Sequence, residues 1–315
     1  MNATASTTEL FRLRADELKP LLVRRNGPAA LQACGHLGAI ALTGVALWYA
    51  LGTSWAVPLT VLLGYFLAFL FNAEHEAAHQ TPFRTRALNH ILGHFAALVV
   101  LLPYEYYRAF HWDHHRFTQD AERDPELART LPTSYWSLAW IVSGIPTWRD
   151  RVRLLFKHGV LGHVDEPWVP VEKRALIVRE ARCYLAVYAV VAVVSALSHS
   201  LAAVWLWLLP VAVGHLFLRP YLLAEHTGCS DGANMLENTR TTYTNAFVRF
   251  FAWNMPFHAE HHAYPAVPFH ALPKLNVLLA AHIVHSERGY HASAAAVLRK
   301  VAVDRRARSS RQVPT

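Results

Sequence analysis

The segment LNHILGHFAALVVLL, residues 88–102, decides how this chain is threaded. It is apolar, but at about 15 residues it is short for a bilayer crossing, which takes roughly 20. Longer apolar runs lie on both sides. Residues 31–51 and 55–71 form one pair, joined by the uncharged turn at 52–54, and residues 183–197 and 201–218 form a second, joined by 198–200. Residues 104–180 are polar and rich in charge and proline, and everything after Arg219 is too polar to cross. The chain makes five crossings if 88–102 is a span. It makes four if that segment is re-entrant or lies along the interface.

Charge separates the two cases. The formal charge of +8 sits in the tails and the middle loop, and the two tight turns lack lysine and arginine. Arg12, Arg14, Lys19, Arg24 and Arg25 precede the first apolar run, and Arg305, Arg306, Arg308 and Arg311 crowd the C-terminus. Positive residues stay in the cytoplasm, so both termini and the middle loop belong there, with four crossings. Residues 9–25 are amphipathic and basic and are expected on that surface. The same rule accounts for the basic charge without nucleic-acid binding. An apolar fraction of 53%, with 10 Trp and 12 Tyr, suits a bilayer and its interfaces. The 3 cysteines (Cys34, Cys183, Cys229) form no C-x-x-C pair and no thiolate metal site. No secretory signal is visible, because the first apolar stretch starts late and lacks a cleavage-type end.

The 20 histidines are the anomaly. Three motifs stand out: His75-Glu-Ala-Ala-His79, His111-Trp-Asp-His114-His115 and His258-Ala-Glu-His261-His262. On a helix, positions i, i+3 and i+4 share a face, so each motif presents two or three imidazoles to one point. A given H-x-x-H-H arises by chance about 0.08 times in a chain of this composition, so two copies are not accidental. With four crossings all three motifs reach the same face; with five, the first is stranded. A shared site and the charge rule therefore require the same topology. Eight imidazoles exceed what one ion accepts, which implies two metals. His226, just past the last span, is a ninth candidate. Glu76, Asp113, Glu225 and Glu260 accompany the clusters but project off the ligand faces, so they are expected to accept imidazole N–H groups from adjacent helices. His90 and His94 form another i, i+4 pair inside the short apolar segment. No acidic neighbour is visible in the sequence, and they are expected in interfacial or hydrogen-bonding roles.

The pattern H-x3-H, H-x2-H-H and H-x2-H-H between paired spans resembles the membrane fatty acid desaturase superfamily, which includes lipid hydroxylases and carotenoid ketolases. HWDHHRFTQDAERDPE (His111–Glu126) looks like the family's second box with its trailing Thr and Asp-Pro-Glu. HAEHHAYPAVPFHALPKLN (His258–Asn276) looks like the third box of the acyl-lipid branch. The resemblance covers roughly residues 55–280 and is closest in motif style to that branch. It implies two iron ions held by His75, His79, His111, His114, His115, His226, His258, His261 and His262. Acyl-CoA members carry an Asn four residues before the equivalent of His226, where this chain has Leu222. The resemblance also implies O2, a lipid or fatty acyl substrate, and electrons from a separate ferredoxin- or cytochrome b5-type donor with its reductase, since no fused b5 domain is visible.

The expected architecture is an all-α, multi-pass membrane protein with four transmembrane helices, a short re-entrant or interfacial helix, and a cytoplasmic helical cap carrying a di-iron site. Residues 1–29 are read as a basic N-terminal segment, 30–285 as the membrane-embedded domain and 286–315 as a basic, partly disordered tail. The active site and both termini are expected on the cytoplasmic side, at the inner membrane if the source is bacterial. Desaturation is the first reading; a hydroxylase (a monooxygenase) or carotenoid-type ketolase on the same scaffold is the alternative. His75-Glu76-x-x-His79 also fits H-E-x-x-H, the motif of an intramembrane zinc protease with Glu76 as general base, but that reading leaves six clustered histidines unused. A metal transporter would line its spans with polar groups, which these spans lack.

Overall fold

The structure, a computed structural model, describes residues 11–128 and 131–311. Four helices are long and apolar enough to cross a membrane: α1 (Asn26–Ala50), α2 (Ala56–Ala78), and two more at Val171–Leu197 and Val204–His226. α2 and the fourth span extend beyond their apolar runs toward the cap, and the third extends back toward the middle loop. α2 thus carries His75 on the same rod as its lipid-facing turns and places His79 at its C-cap.

Between the pairs, α3 (Arg86–Val100) bends by 99° into α4 (Tyr104–Phe117). The turn is made by Leu101, at φ 59°, and by Pro103, which lacks an N–H. α4 then returns to the end of α2 that the chain had left: the Tyr104 hydroxyl donates to Ala77 O at 2.7 Å, and the Trp112 indole to Ala78 O at 3.3 Å. Gly93 permits the fold-back, because a Cβ there would lie 2.4 Å from the Tyr104 ring. The two helices thus fold back on each other at a sharp bend.

A helix ending inside a membrane needs partners for its last carbonyls. Three side chains supply them. The Tyr188 hydroxyl donates to Leu98 O at 3.0 Å, the Trp207 indole to Val99 O at 2.7 Å, and Arg151 to Val100 O. Protein, not lipid, surrounds the tip.

We label the third and fourth spans α5 (Val171–Leu197) and α6, the α-helical part of the latter (Leu209–His226). The remainder of the described chain builds a cap over the ends of α2, α4 and α6. It departs from the all-α expectation by one parallel pair, β1 (Arg240–Tyr243) with β2 (His285–Arg288), in register Arg240↔His285 to Tyr243↔Arg288. Thr241, Thr242 and Tyr243 are good strand formers, and the crossover between the two strands contains α7 (His258–Ala263), the third histidine motif. β2 leads into α8 (Tyr290–Arg311), whose alanine-rich first turns favour a helix and whose Val297 and Val301, four apart, are buried. Residues 312–315 lie outside the described residues. So do residues 9–10 of the amphipathic N-terminal segment; from Phe11 onward it lies on the cap, with the Leu13 N–H donating to the Tyr264 hydroxyl at 2.8 Å and Leu21 buried.

Candidate metal centre

All nine histidines singled out in the sequence converge, and none is more than 6% exposed. They fall into two adjoining groups. His75, His79, His111, His115 and His261 each offer a nitrogen within 4.8 Å of the others, and His114, His226 and His262 do the same. His258 joins the second group through its Nε2, 3.2 Å from that of His226. The groups meet where His115 and His262 stack with ring centroids 4.0 Å apart.

The nitrogens point at one another. The Nε2 atoms of His79 and His111 are 2.7 Å apart, those of His111 and His115 3.0 Å, and those of His115 and His261 3.1 Å. The Nε2 atoms of His75 and His262 are buried with no hydrogen-bond partner. Lone pairs brought together this closely in a dry interior need a cation. This donor set fits a metal centre.

The opposite edges of several rings are held by acceptors, which fixes the tautomer and turns the free nitrogen inward. Asp124 Oδ1 lies 2.8 Å from His114 Nδ1, and the Asn238 carbonyl lies 3.2 Å from His226 Nδ1. The Thr118 hydroxyl lies 3.1 Å from His262 Nδ1. Glu76 and Glu225 lie on neighbouring helices, 3.6 Å from His261 Nδ1 and 3.5 Å from His258 Nδ1, close to those rings but with no hydrogen bond to them. Asp113 and Glu260 turn elsewhere. Asp113 faces outward and pairs with Arg116 at 3.5 Å. Glu260 accepts from Thr241 and Asn276, tying the third motif to β1 and to the helix Leu272–Leu279. Glu76 also accepts from the Phe269 N–H and the Thr81 hydroxyl, each at 3.1 Å. That ties down the carboxylate a zinc protease would need as its base.

Asp124, Glu126 and Thr118 were quoted with the second box but given no role. Glu126 Oε2 is 3.3 Å from His114 Nε2. The signal was the trailing Thr and Asp-Pro-Glu, whose turn folds back onto the helix before it. For His90 and His94 the sequence hid the partners: His94 Nδ1 is 3.0 Å from the Tyr184 hydroxyl and 3.2 Å from Glu180, and His90 Nδ1 is 3.9 Å from Glu105. Arg108 holds both oxygens of Glu105 at 3.0 Å, so this cluster is an ion-pair network bracing the hairpin.

Burial keeps the imidazoles neutral. Burial first, then neighbouring imidazoles, holds His111, His115, His258 and His262 well below the usual range, and His261 is lowered to about 3. His114 is the exception: burial opposes its charge, but Glu126 and Asp124 outweigh that and raise it. The sign for stability follows. Between pH 6.5 and about 3 the unfolded chain protonates an imidazole that folded His261 keeps neutral, so stability falls as pH falls through that window. Thermal melting of the metal-free protein in detergent is therefore expected to drop steadily from pH 7 to pH 4, with no comparable change from pH 7 to pH 8.

Two spaces reach the cluster. A cleft of about 630 Å³ opens beside His226, and a pocket of about 60 Å³ touches His75, His111, His114 and His258. Glu126, Arg219 and Leu222 line both.

The family model described as Fatty acid desaturase matches residues 52–294. The chain is 23% identical to an sn-1 oleoyl-lipid 12-desaturase of Picosynechococcus over 78% of its own length and 73% of that protein's. It is 26% identical to a dihydrorhizobitoxine desaturase of Bradyrhizobium elkanii, covering 70% of this chain and 66% of the relative. It is 22% identical to a chloroplastic omega-6 fatty acid desaturase of Spinacia oleracea, covering 79% and 58%. The matched region contains all the histidine motifs, the three apolar helices after α1 and the bent helix pair, so this integral membrane oxidoreductase belongs to the fatty acid desaturase family.

Proposed function

We propose that the chain is an O2-dependent di-iron desaturase acting on a fatty acyl lipid, with its site and both termini on the cytoplasmic side. The observation that carries this reading is the convergence of nine buried imidazoles into two adjoining groups at the cap ends of membrane-spanning helices. His75, His79, His111, His115 and His261 would hold one iron; His114, His226, His258 and His262 would hold the other. Bound there, the pair would supply the one-electron chemistry that turns O2 against an unactivated C–H bond. The protein's part is ligation, orientation and exclusion of water. Asp124 and the Asn238 carbonyl fix ring orientation, and Phe71, Leu102, Tyr107 and Phe110 give the small pocket its apolar wall. Loss of a second hydrogen yields an alkene; hydroxyl transfer yields an alcohol, the alternative on the same scaffold.

One observation favours a second reading. The pocket that touches the histidines is also lined by Arg151, Arg219, Glu126, Glu225 and Thr147, surroundings that suit a more polar substrate than a bare acyl chain. One relative, named dihydrorhizobitoxine desaturase, bears a name outside the acyl-lipid set. A single experiment addresses both. The chain is expressed in a host of simple lipid profile, its iron content is measured after purification, and lipid and aqueous extracts are analysed by mass spectrometry. Two irons per chain and a lipid about 2 mass units lighter are expected, a gain of about 16 would indicate hydroxylation, and a change confined to the aqueous extract would favour the second reading. Purified protein with no iron would reject both.

A further inference from the structure

The histidine cluster is buried, and electrons must reach it. Of the fourteen residues of α4, only Trp112 and Arg116 are exposed. Trp112 is 44% exposed, yet its ring lies 4.9 Å from that of His79, edge-on, and 6.4 Å from that of His115, both in the first group. Its indole N–H is held by Ala78 O, at the end of the helix that carries His75 and His79. One side chain therefore spans from the surface to the ring edges. The 630 Å³ cleft reaches the cluster beside His226, in the second group, and Arg116 is among its lining residues.

The surroundings of Trp112 are basic. Arg108, Trp112 and Arg116 are spaced i, i+4, i+8 and form one stripe along α4. Arg84 and Arg86, both exposed, follow the first histidine motif, and Arg86 and Arg108 both lie within electrostatic reach of His90. Against these four guanidinium groups stand Asp113 and the buried Glu105, each paired with one of them. Arg84 and Arg86 stand outside those two pairs.

We propose that the arginine rim around Trp112 is the docking face for an acidic one-electron carrier protein and that Trp112 itself is the point of electron entry, a deduction that rests on the di-iron reading. Positive rim charges steer an acidic partner and make its association salt-dependent. Each visit moves one electron: the carrier is oxidised by one and the centre reduced by one, no atom changes hands, and a desaturation takes two visits. Electron tunnelling falls steeply with distance, and Trp112 removes the gap between surface and ligand rings.

The test uses the purified iron-loaded protein in detergent with a plant-type [2Fe–2S] ferredoxin as probe. Reversing Arg84, Arg86 and Arg116 to Glu is expected to raise the Kd for ferredoxin by about tenfold or more, with the salt dependence flattened. Trp112→Leu is expected to leave that Kd unchanged while slowing reduction of the centre by ferredoxin roughly tenfold in stopped flow, with reduction by dithionite unaffected and Trp112→Phe partly restoring the rate. Equal ferredoxin rates in Trp112→Leu, or loss of iron from it, would overturn the relay. An unchanged Kd in the reversed variant would overturn the docking face; if binding to anionic vesicles fell instead, the rim is a lipid-headgroup face. A wild-type protein that dithionite cannot reduce would mean that the di-iron reading itself had failed.

Discussion

His261→Ala is expected to abolish product formation while leaving the protein inserted in the membrane. Its Nε2 lies 3.1 Å from that of His115, its ring sits 4.7 Å from those of both His75 and His79, and it is fully buried. Removing it leaves four imidazoles of the first group without the one that joins the third motif to the first two. Glu76→Gln is the contrast. Glu76 stands 3.6 Å from His261 Nδ1, and losing such an outer partner costs roughly 10- to 100-fold in metal affinity or activity without emptying the site. Iron content, product yield and membrane fractionation of the two variants decide the matter. Retained activity in His261→Ala, or equal loss in both variants with iron unchanged, would count against His261 as a ligand and return Glu76 to a direct role.

The contrast between these two residues reflects what a sequence can display. Spacings of three and four, and runs of apolar residues, are local facts, so the histidine motifs, the four spans and the short apolar segment between them were all legible. His226 was legible too, because its position just past a span put it at the helix ends where the motifs gather. What lay hidden were contacts made across the fold. Glu180 reaches His94, and Tyr188, Trp207 and Arg151 cap the hairpin tip, from positions that no periodicity links to residues 88–102. Thr118, Asp124 and Glu126 stood within the quoted second box but had no readable role until the turn after α4 folded back. The β1–β2 pair joins segments separated by the whole third motif, and α8, which follows it, is anchored by two buried valines. Local pattern gave the donors; tertiary folding chose the acceptors that aim them.

The same division between local pattern and long-range packing leads to a stability prediction at a site with no chemistry of its own. α2 and the fourth span run parallel toward the cap, and they touch through glycine. A Cβ on Gly214 would lie 2.0 Å from Gly64 O and 2.7 Å from Ala68 Cβ; one on Gly64 would lie 2.3 Å from Pro210 O. Two turns nearer the cap, the Tyr221 hydroxyl bonds Asn72 Oδ1 at 3.1 Å, so the contact persists along both rods. Close glycine approach is how helices pack in lipid, where no hydrophobic drive holds them together. This contact also sets the separation of His75 and His226, which the two helices carry. Gly214→Leu must push backbone against backbone, and overpacking of this kind costs about 1–3 kcal/mol or more. The expected outcome is a large loss of monodisperse protein and of thermal stability in detergent, with iron content falling alongside. Gly44→Leu is the matched control, since nothing lies within 4 Å of a Cβ built on Gly44. It adds the same side chain to a helix of the same membrane and should melt close to wild type. If Gly214→Leu and Gly44→Leu proved indistinguishable in melting temperature and iron content, the glycine contact would not be what holds the two rods, and with them the two histidine groups, in register.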